Sequence, residues 1–394
     1  MKREAGKLDF FENTLAGKER QRLLRALRPL APVSPPEVLL NGRVLVNFSS
    51  NDYLGLSRHP LLIERAAQFM ERFGAGSTGS RLVCGDFEIF EQVERRIADL
   101  KGTEAALIFN SGFQANVSMI PALSDPSSVI FSDRLNHNSI VNGARLARCR
   151  VECFRHNDME HLRMLLQDAR NGNNGSTRIL IITESVFSVD GDQSDLDRLV
   201  SLSREHGALL IVDDAHATGV LGKRGMGLTC GKGVDVAMGT FSKACGGFGA
   251  YVACSGVLRE YLINCCSGFI YSTALPPAVL GTIDAALDLI PSMDAERERL
   301  HENGAFLRKS LQEQGWSTAS STTHIVPVVV GEESKTLSLS RFLEDHGILA
   351  PALRPPTVEP GKARIRFSLS SSHTREQVES LVRLLASWRS SNGS

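Results

Sequence analysis

Leu209-Leu210-Ile211-Val212-Asp213-Asp214-Ala215-His216 is the stretch that decides the fold. Its unbroken apolar run reads as a strand buried on both faces, and two acids and a histidine arrive as the run ends. The strand itself is placed at 208–212, and runs of the same character recur at 105–109, 128–131, 151–154, 178–183 and 234–239. Between them, 88–100, 113–123, 159–169 and 196–206 carry apolar residues at helical spacing. This alternation predicts an α/β fold, a mostly parallel sheet covered by helices on both faces. Ligands of such sheets collect outside the carboxyl ends of the strands, so functional side chains are sought just after each strand.

The pattern changes near Pro291. A long amphipathic helix at 293–314 leads to a strand at 325–330, a helix at 336–346, a strand at 363–369 and a last helix from Thr374. The reading is therefore three parts: an N-terminal arm over 1–50, a large domain over 51–290 and a smaller α+β domain over 291–394. The arm holds a helix, a proline-rich turn at 29–36 and a hairpin-like segment at 38–47, and its basic run from Arg20 to Arg28 has the pattern of a solvated helix face. Residues 171–176 (NGNNGS) read as a flexible surface turn and 390–394 as a loose tail.

Lys+Arg and Asp+Glu both total 44 in 394 residues, giving a formal net charge of zero. A nucleic-acid surface needs an excess of cations, so no nucleic-acid partner is expected. No apolar stretch approaches the roughly 18 residues of a membrane span, and no apolar segment follows the basic Met1-Lys2-Arg3-Glu4, so a cytoplasmic protein is expected. The eight cysteines form no CxxC pair and read as reduced structural thiols.

Chemistry gathers where the strands end. In Val236-Ala237-Met238-Gly239-Thr240-Phe241-Ser242-Lys243, the lysine stands just past a strand, with Gly246, Gly247 and Gly249 following. An ordinary lysine there is a surface charge, but one held among apolar walls can lose its proton and attack an aldehyde. The glycines let backbone approach a ligand closely. Asp213 alone would read as a turn cap, and with Asp214, His216, Asp133 and His137 it leaves a metal site open. Paired with Lys243 it suits pyridoxal 5′-phosphate, whose ring acts as an electron sink only while its nitrogen stays protonated beside an acid. Ser111-Gly112-Phe113 follows a strand and opens a helix, as an anion site or as a plain turn. Thr240 offers a hydroxyl to the same phosphate, His137 a ring to stack on the cofactor, and Ser188 a hydroxyl for the ring oxygen.

The chain resembles the α-oxoamine synthase family of fold-type-I pyridoxal-phosphate enzymes over nearly its whole length. The resemblance is carried by NFSSNDYLGL (47–56), GAGSTGSR (74–81), FNSGFQAN (109–116), DRLNHNS (133–139), ESVFSVDGD (184–192), VDDAHATG (212–219), GTFSK (239–243) and YSTALPP (271–277). It implies that Lys243 holds the cofactor as a Schiff base and serves as general base, that Asp213 pairs with the ring nitrogen and that no metal is needed. It further implies that His216 and Ser188 address the ring oxygen, that Gly112, Phe113 and Thr240 hold the phosphate and that His137 stacks on the ring. Thr273 would reach the phosphate of the partner subunit in a homodimer. Asn47, Arg354 and Thr357 would contact substrate, with Arg354 on the amino-acid carboxylate and Arg25, in the N-terminal helix, at the far end of the acyl chain. LRPPTV (353–358) and the SGF form of the phosphate turn point to condensation of L-alanine with a pimeloyl thioester, carried by coenzyme A or acyl carrier protein, in biotin biosynthesis. A relative using glycine, such as glycine C-acetyltransferase, is the alternative.

Overall fold

The computed structural model describes residues 6–21, 23–172 and 177–392. Met1 to Glu4, Arg22 in the basic run, residues 173–176 of the expected surface turn and the last two residues of the tail lie outside them.

Seven strands build the central sheet in the order Ala105–Phe109, Ala250–Cys254, Val236–Thr240, Leu209–Asp213, Ile179–Glu184, Val129–Asp133 and Arg150–Phe154. All neighbours are parallel except Ala250–Cys254, which runs antiparallel to both strands beside it. The expected strand at 178–183 is observed as Ile179–Glu184. Its apolar run is continuous because both faces are covered: Leu180 and Ile182 join one core cluster with Ile211 and Met238, while Ile179 and Ile181 join another with Leu162, Leu166 and Leu199.

The reversed strand was not legible in the sequence, and it matters for the site. Ala250 is in register with Phe109 on one side and Thr240 on the other. The turn after Phe109 and the loop after Thr240 therefore leave the sheet at one edge, a single strand apart.

The Asp294–Glu313 and Arg375–Asn392 helices and a small sheet of Ile325–Gly331, Ala363–Ser368 and Ala352–Leu353 form the C-terminal part. It does not have a core of its own: one cluster runs from Tyr53 and Leu280 to Val326, Phe367 and Leu385. In the arm, the hairpin Glu37–Leu40 and Arg43–Asn47 turns through Asn41 and Gly42, both at positive φ (50° and 78°) as this tight turn demands. Arg43–Asn47 then pairs in parallel with Ile348–Leu349. The N-terminal helix is Asp9–Arg20, and residues 23–30 have no regular structure, so the basic run is not one helix. Arg25 and Arg28 instead bind Thr357 and Glu344, contacts more than 300 positions away. Among the described residues, no helix is long and apolar enough to cross a membrane.

Beneath the site lies a buried ion pair. Lys101 Nζ donates to Asp214 Oδ2 (2.9 Å), the Met226 carbonyl (2.8 Å) and Thr229 Oγ1 (2.6 Å), and Ser185 Oγ donates to Asp214 Oδ1 (2.6 Å). Both side chains of the pair are fully inaccessible. Burial alone would strip the Lys101 proton, but the Asp214 carboxylate more than offsets it and raises the pKa. Removing one partner of such a pair costs about 3–5 kcal/mol because the other charge stays buried. Lys101→Ala is accordingly expected to lower unfolding free energy by that order in chemical denaturation; an unchanged midpoint would show that Asp214 is stabilised without it.

Candidate active site

Asp213 closes its strand and is buried. Asn116 Nδ2 donates to its Oδ2 (2.9 Å) and the Ala215 N–H to its Oδ1 (3.0 Å). Burial still raises its pKa, with Lys243 and Asn116 pulling the other way. Lys243 follows the adjacent strand, keeps some solvent access, and its amine makes no hydrogen bond or ion pair among the described residues. Burial takes its ammonium from an ordinary 10.5 down to about 8, despite attraction from Asp213 and Glu184, with Arg366 pushing further down.

Glu184 is a second buried carboxyl, given no role in the sequence although it directly follows the expected strand at 178–183 and opens the motif at 184–192; in the structure it closes that strand. It stands in register with Asp213 on the neighbouring parallel strand, so both side chains rise on the same face. Its Oε1 accepts the His137 N–H at 2.6 Å. Burial and the repulsion of Asp213 raise its pKa well above the usual carboxylate range. His137, capping the Asn138–Leu146 helix, is exposed toward open space, and burial of its surroundings lowers its pKa.

His216 is buried, and its Nδ1 shares a 2.7 Å hydrogen bond with Tyr53 Oη. Burial, then the charges of Lys243 and Arg366, hold the imidazole neutral. Arg366 donates to Tyr53 Oη (3.3 Å) and Asn51 Oδ1 (3.1 Å), while its Nε is buried without a partner. Asn51, Tyr53 and Arg366 thus join the site although the sequence signalled them only as part of a motif and a strand.

Ser111 caps the Gly112–Ala122 helix by accepting the Gln114 N–H at 3.1 Å. The first N–H groups of this helix, at Gly112 and Phe113, have no acceptor within it and suit an anion. Thr240 donates its hydroxyl to the Gly249 carbonyl at 2.9 Å, and Ser242 Oγ, exposed, stands 2.8 Å from it. Ser242 is thus the freer hydroxyl on this loop. Thr273 is exposed, and its carbonyl accepts from Asn110 Nδ2 at 2.9 Å, beside the same turn. Ser188 lies half-buried on the turn beyond the Ile179–Glu184 strand, at the same sheet edge.

The substrate candidates divide. Arg25 Nη2 reaches Thr357 Oγ1 at 3.2 Å, from outside the N-terminal helix rather than within it. Thr357 lines a cavity of about 840 Å³ with Asn136, Phe187 and Arg364. Asn47 does not join the site: its Oδ1 accepts the Ser49 N–H (2.9 Å), and it faces a separate crevice against the arm. Arg354 is also displaced, into a crevice with Glu19, Leu24 and Asp345. The arginine that Lys243 senses is Arg366. Alternation along the Ala363–Ser368 strand puts residues 364 and 366 on one face, toward the large domain, where Arg364 pairs with Asp190. Arg354 instead follows the two-residue strand Ala352–Leu353.

The metal reading loses its carboxylates to other partners: Asp214 to Lys101, and Asp133 to His156. Among the described residues, no cluster of three His, Cys, Asp or Glu is arranged to hold a metal ion. The residues fit pyridoxal phosphate on two counts. A clamped buried carboxylate stands near an unpaired amine of depressed pKa, and a helix N-terminus opens one strand away.

The aminotransferase class I and II family matches residues 43–385. A Desulfosudis oleivorans protein, provisionally named 8-amino-7-oxononanoate synthase, is 57% identical over 383 residues, 97% of this chain and 99% of the relative. The 8-amino-7-oxononanoate synthase of Gluconacetobacter diazotrophicus is 50% identical over 384 residues, 95% and 96% of the two chains. The solved structure of Sphingomonas wittichii serine palmitoyltransferase superposes with a TM-score of 0.91 at 29% identity, over 98% and 99% of the chains.

Two outcomes are expected. Glu184→Gln keeps a neutral acceptor for the His137 N–H and should retain cofactor affinity within about threefold, whereas Glu184→Ala leaves that donor unsatisfied at about 1–3 kcal/mol; equal loss in both would mean the ionised carboxylate is what matters. The rate at which apoprotein takes up pyridoxal phosphate, followed by absorbance, should climb with pH as Lys243 deprotonates and level off above about 8. An ordinary lysine would keep climbing past pH 10.

Proposed function

We propose that this chain, which belongs to the class I and II aminotransferase family and within it to the α-oxoamine synthases, condenses L-alanine with a pimeloyl thioester to give 8-amino-7-oxononanoate. It is a pyridoxal-phosphate-dependent acyltransferase. The observation that carries the reading is the depressed Lys243 amine beside clamped Asp213 at the carboxyl edge of the sheet.

Bound at this edge, pyridoxal phosphate supplies an electron sink for the charge left when the amino acid gives up its α-proton. Asp213 would sit against the ring nitrogen, Gly112, Phe113 and the Thr240–Ser242 hydroxyl pair at the phosphate, and His137 on the ring face. Neutral His216 and Ser188 would address the ring oxygen. Because burial holds Lys243 near neutrality, its Nζ can accept the α-proton and return it later. Arg366 would hold the amino-acid carboxylate, which would satisfy its unpartnered Nε and fit the guanidinium fork. The acyl group transfers to the alanine α-carbon as the thioester C–S bond breaks, the departing thiolate takes a proton from solvent, the carboxylate departs as carbon dioxide, and Lys243 returns its proton to the α-carbon. Thr357 on the wall of the 840 Å³ cavity, with Arg25 hydrogen-bonded to it, would receive the far end of the acyl chain. A homodimer, with Thr273 offered to the partner's phosphate, completes the proposal.

Incubation with pimeloyl-CoA and each of alanine, glycine and serine, with products weighed by mass spectrometry, tests it. Alanine should give the decarboxylated C9 product; a preference for glycine would instead favour an acetyltransferase-like synthase. Lys243→Ala should abolish turnover. Arg366→Ala should raise KM for the amino acid about 10- to 100-fold, as loss of a charged hydrogen bond requires, and an unchanged KM would return the carboxylate to Arg354.

A further inference from the structure

One half-buried titratable group has no assigned role in the chemistry above. His156 sits between two acids, with Nδ1 2.9 Å from Asp133 Oδ1 and Nε2 2.8 Å from Asp192 Oδ2. Asp133 is fully inaccessible and Asp192 is 6% exposed. Burial alone would discharge the imidazole, but its hydrogen bonds to the two carboxylates override that and lift its pKa to about 10. It is therefore an imidazolium across the working pH range, and one cation is shared by two anions. Asp192 Oδ1 is buried without a partner, so the contacts to Oδ2 answer for most of that acid's charge.

Each acid belongs to a different loop. Asp133 Oδ1 accepts the Leu135 N–H (2.8 Å) and the Asp133 carbonyl accepts the Asn136 N–H (3.2 Å), which shapes the turn ending at His137. Asp192 closes the other loop, its carbonyl accepting the Phe187 N–H at 2.9 Å across Ser188. The residue after the histidine repeats the bridge. Asn157 gives its N–H to Asp133 Oδ2 (2.9 Å) and its Nδ2 to Asp192 Oδ2 (2.9 Å). It does so from a left-handed conformation, φ 52°, a region that Asn tolerates better than most residues. The His156 and Phe187 rings also pack nearly perpendicular, centroids 4.4 Å apart.

We propose that His156 is a positioning residue whose imidazole ties Asp133 to Asp192 and thereby sets the spacing of the His137 and Ser188 loops on either side of the cofactor. This rests on the cofactor reading above, in which His137 covers the ring and Ser188 meets its oxygen. The His156 side chain acts through the two acids and its packing against Phe187, although its ring also borders the 840 Å³ cavity. Its loss lets the loops separate, weakening the grip on the ring while leaving Lys243 and Asp213 in place.

His156→Gln removes the cation and can donate to only one acid. His156→Gln with Asp192→Asn restores balance, since the Gln amide can donate to Asp133 and accept from the new Asn. For wild type and both variants, the dissociation constant for pyridoxal phosphate is measured by absorbance titration, alongside thermal unfolding of the apoproteins. The single variant is expected to bind the cofactor about tenfold more weakly with a shifted absorption band, and the double variant to recover most of both. A melting-temperature loss in the single variant with an unaltered cofactor constant and band would reduce His156 to a structural role and overturn the proposal. Failure of the double variant to recover binding would overturn it too. Wild type that does not take up the cofactor through Lys243 would bring down the cofactor reading itself, which separates the two failures.

Discussion

The site depends on one constraint, an amine and two carboxyls crowded with little water at the same edge of a parallel sheet. Attraction to Asp213 and Glu184 would keep Lys243 protonated, and burial opposes it more strongly, so the amine sits near neutrality at physiological pH. The carboxyls answer differently to similar burial. Lys243 favours the charge of both, but Asp213 also has an amide and a backbone N–H, whereas Glu184 has a single backbone donor and the repulsion of Asp213 and Asp133. One acid is thus kept for pairing with a cation and the other is driven toward its neutral form.

The scaffold keeps this arrangement from relaxing. Asp214, next in the chain to Asp213, is pinned by Lys101, Thr229 and Ser185, so the strand end cannot twist to bring Asp213 out to water. From the other side, Tyr53 and Arg366 close over His216 and bring the C-terminal part to the site. The shared core from Tyr53 to Phe367 makes the two parts one body at this point. The hydrogen-bonded group of Asn51, Tyr53, His216 and Arg366 draws on residues more than 300 positions apart, so it forms only when the whole chain is folded.

Much of this was written locally. Apolar runs at 105–109 and 208–212 signalled buried strands because a strand covered on both faces has no polar side to show. Lys243, Asp213, His137 and the Ser111 turn were legible because each follows such a run. The strand Ala250–Cys254 was not: it is short, follows a glycine-rich loop and carries small residues, and nothing local marks its reversed direction. Arg25 was expected on a helix because the basic run from Arg20 to Arg28 has a helical pattern, yet that segment has no regular structure and its arginines bind Thr357 and Glu344 instead.

The sequence by itself determined which residues lie at the ends of strands, and with them the amine, the acid and the anion-binding turn, since periodicity and the close of an apolar run are properties of neighbours in the chain. Only the tertiary structure decided which of several similar side chains enters the cleft. Asn51 rather than Asn47, and Arg366 rather than Arg354, meet at His216, because contacts between segments more than 300 positions apart choose between them. The protonation of Lys243 and Glu184 was decided there as well, since it follows from how much water surrounds a group and which charges stand near it, and neither exists until distant segments pack.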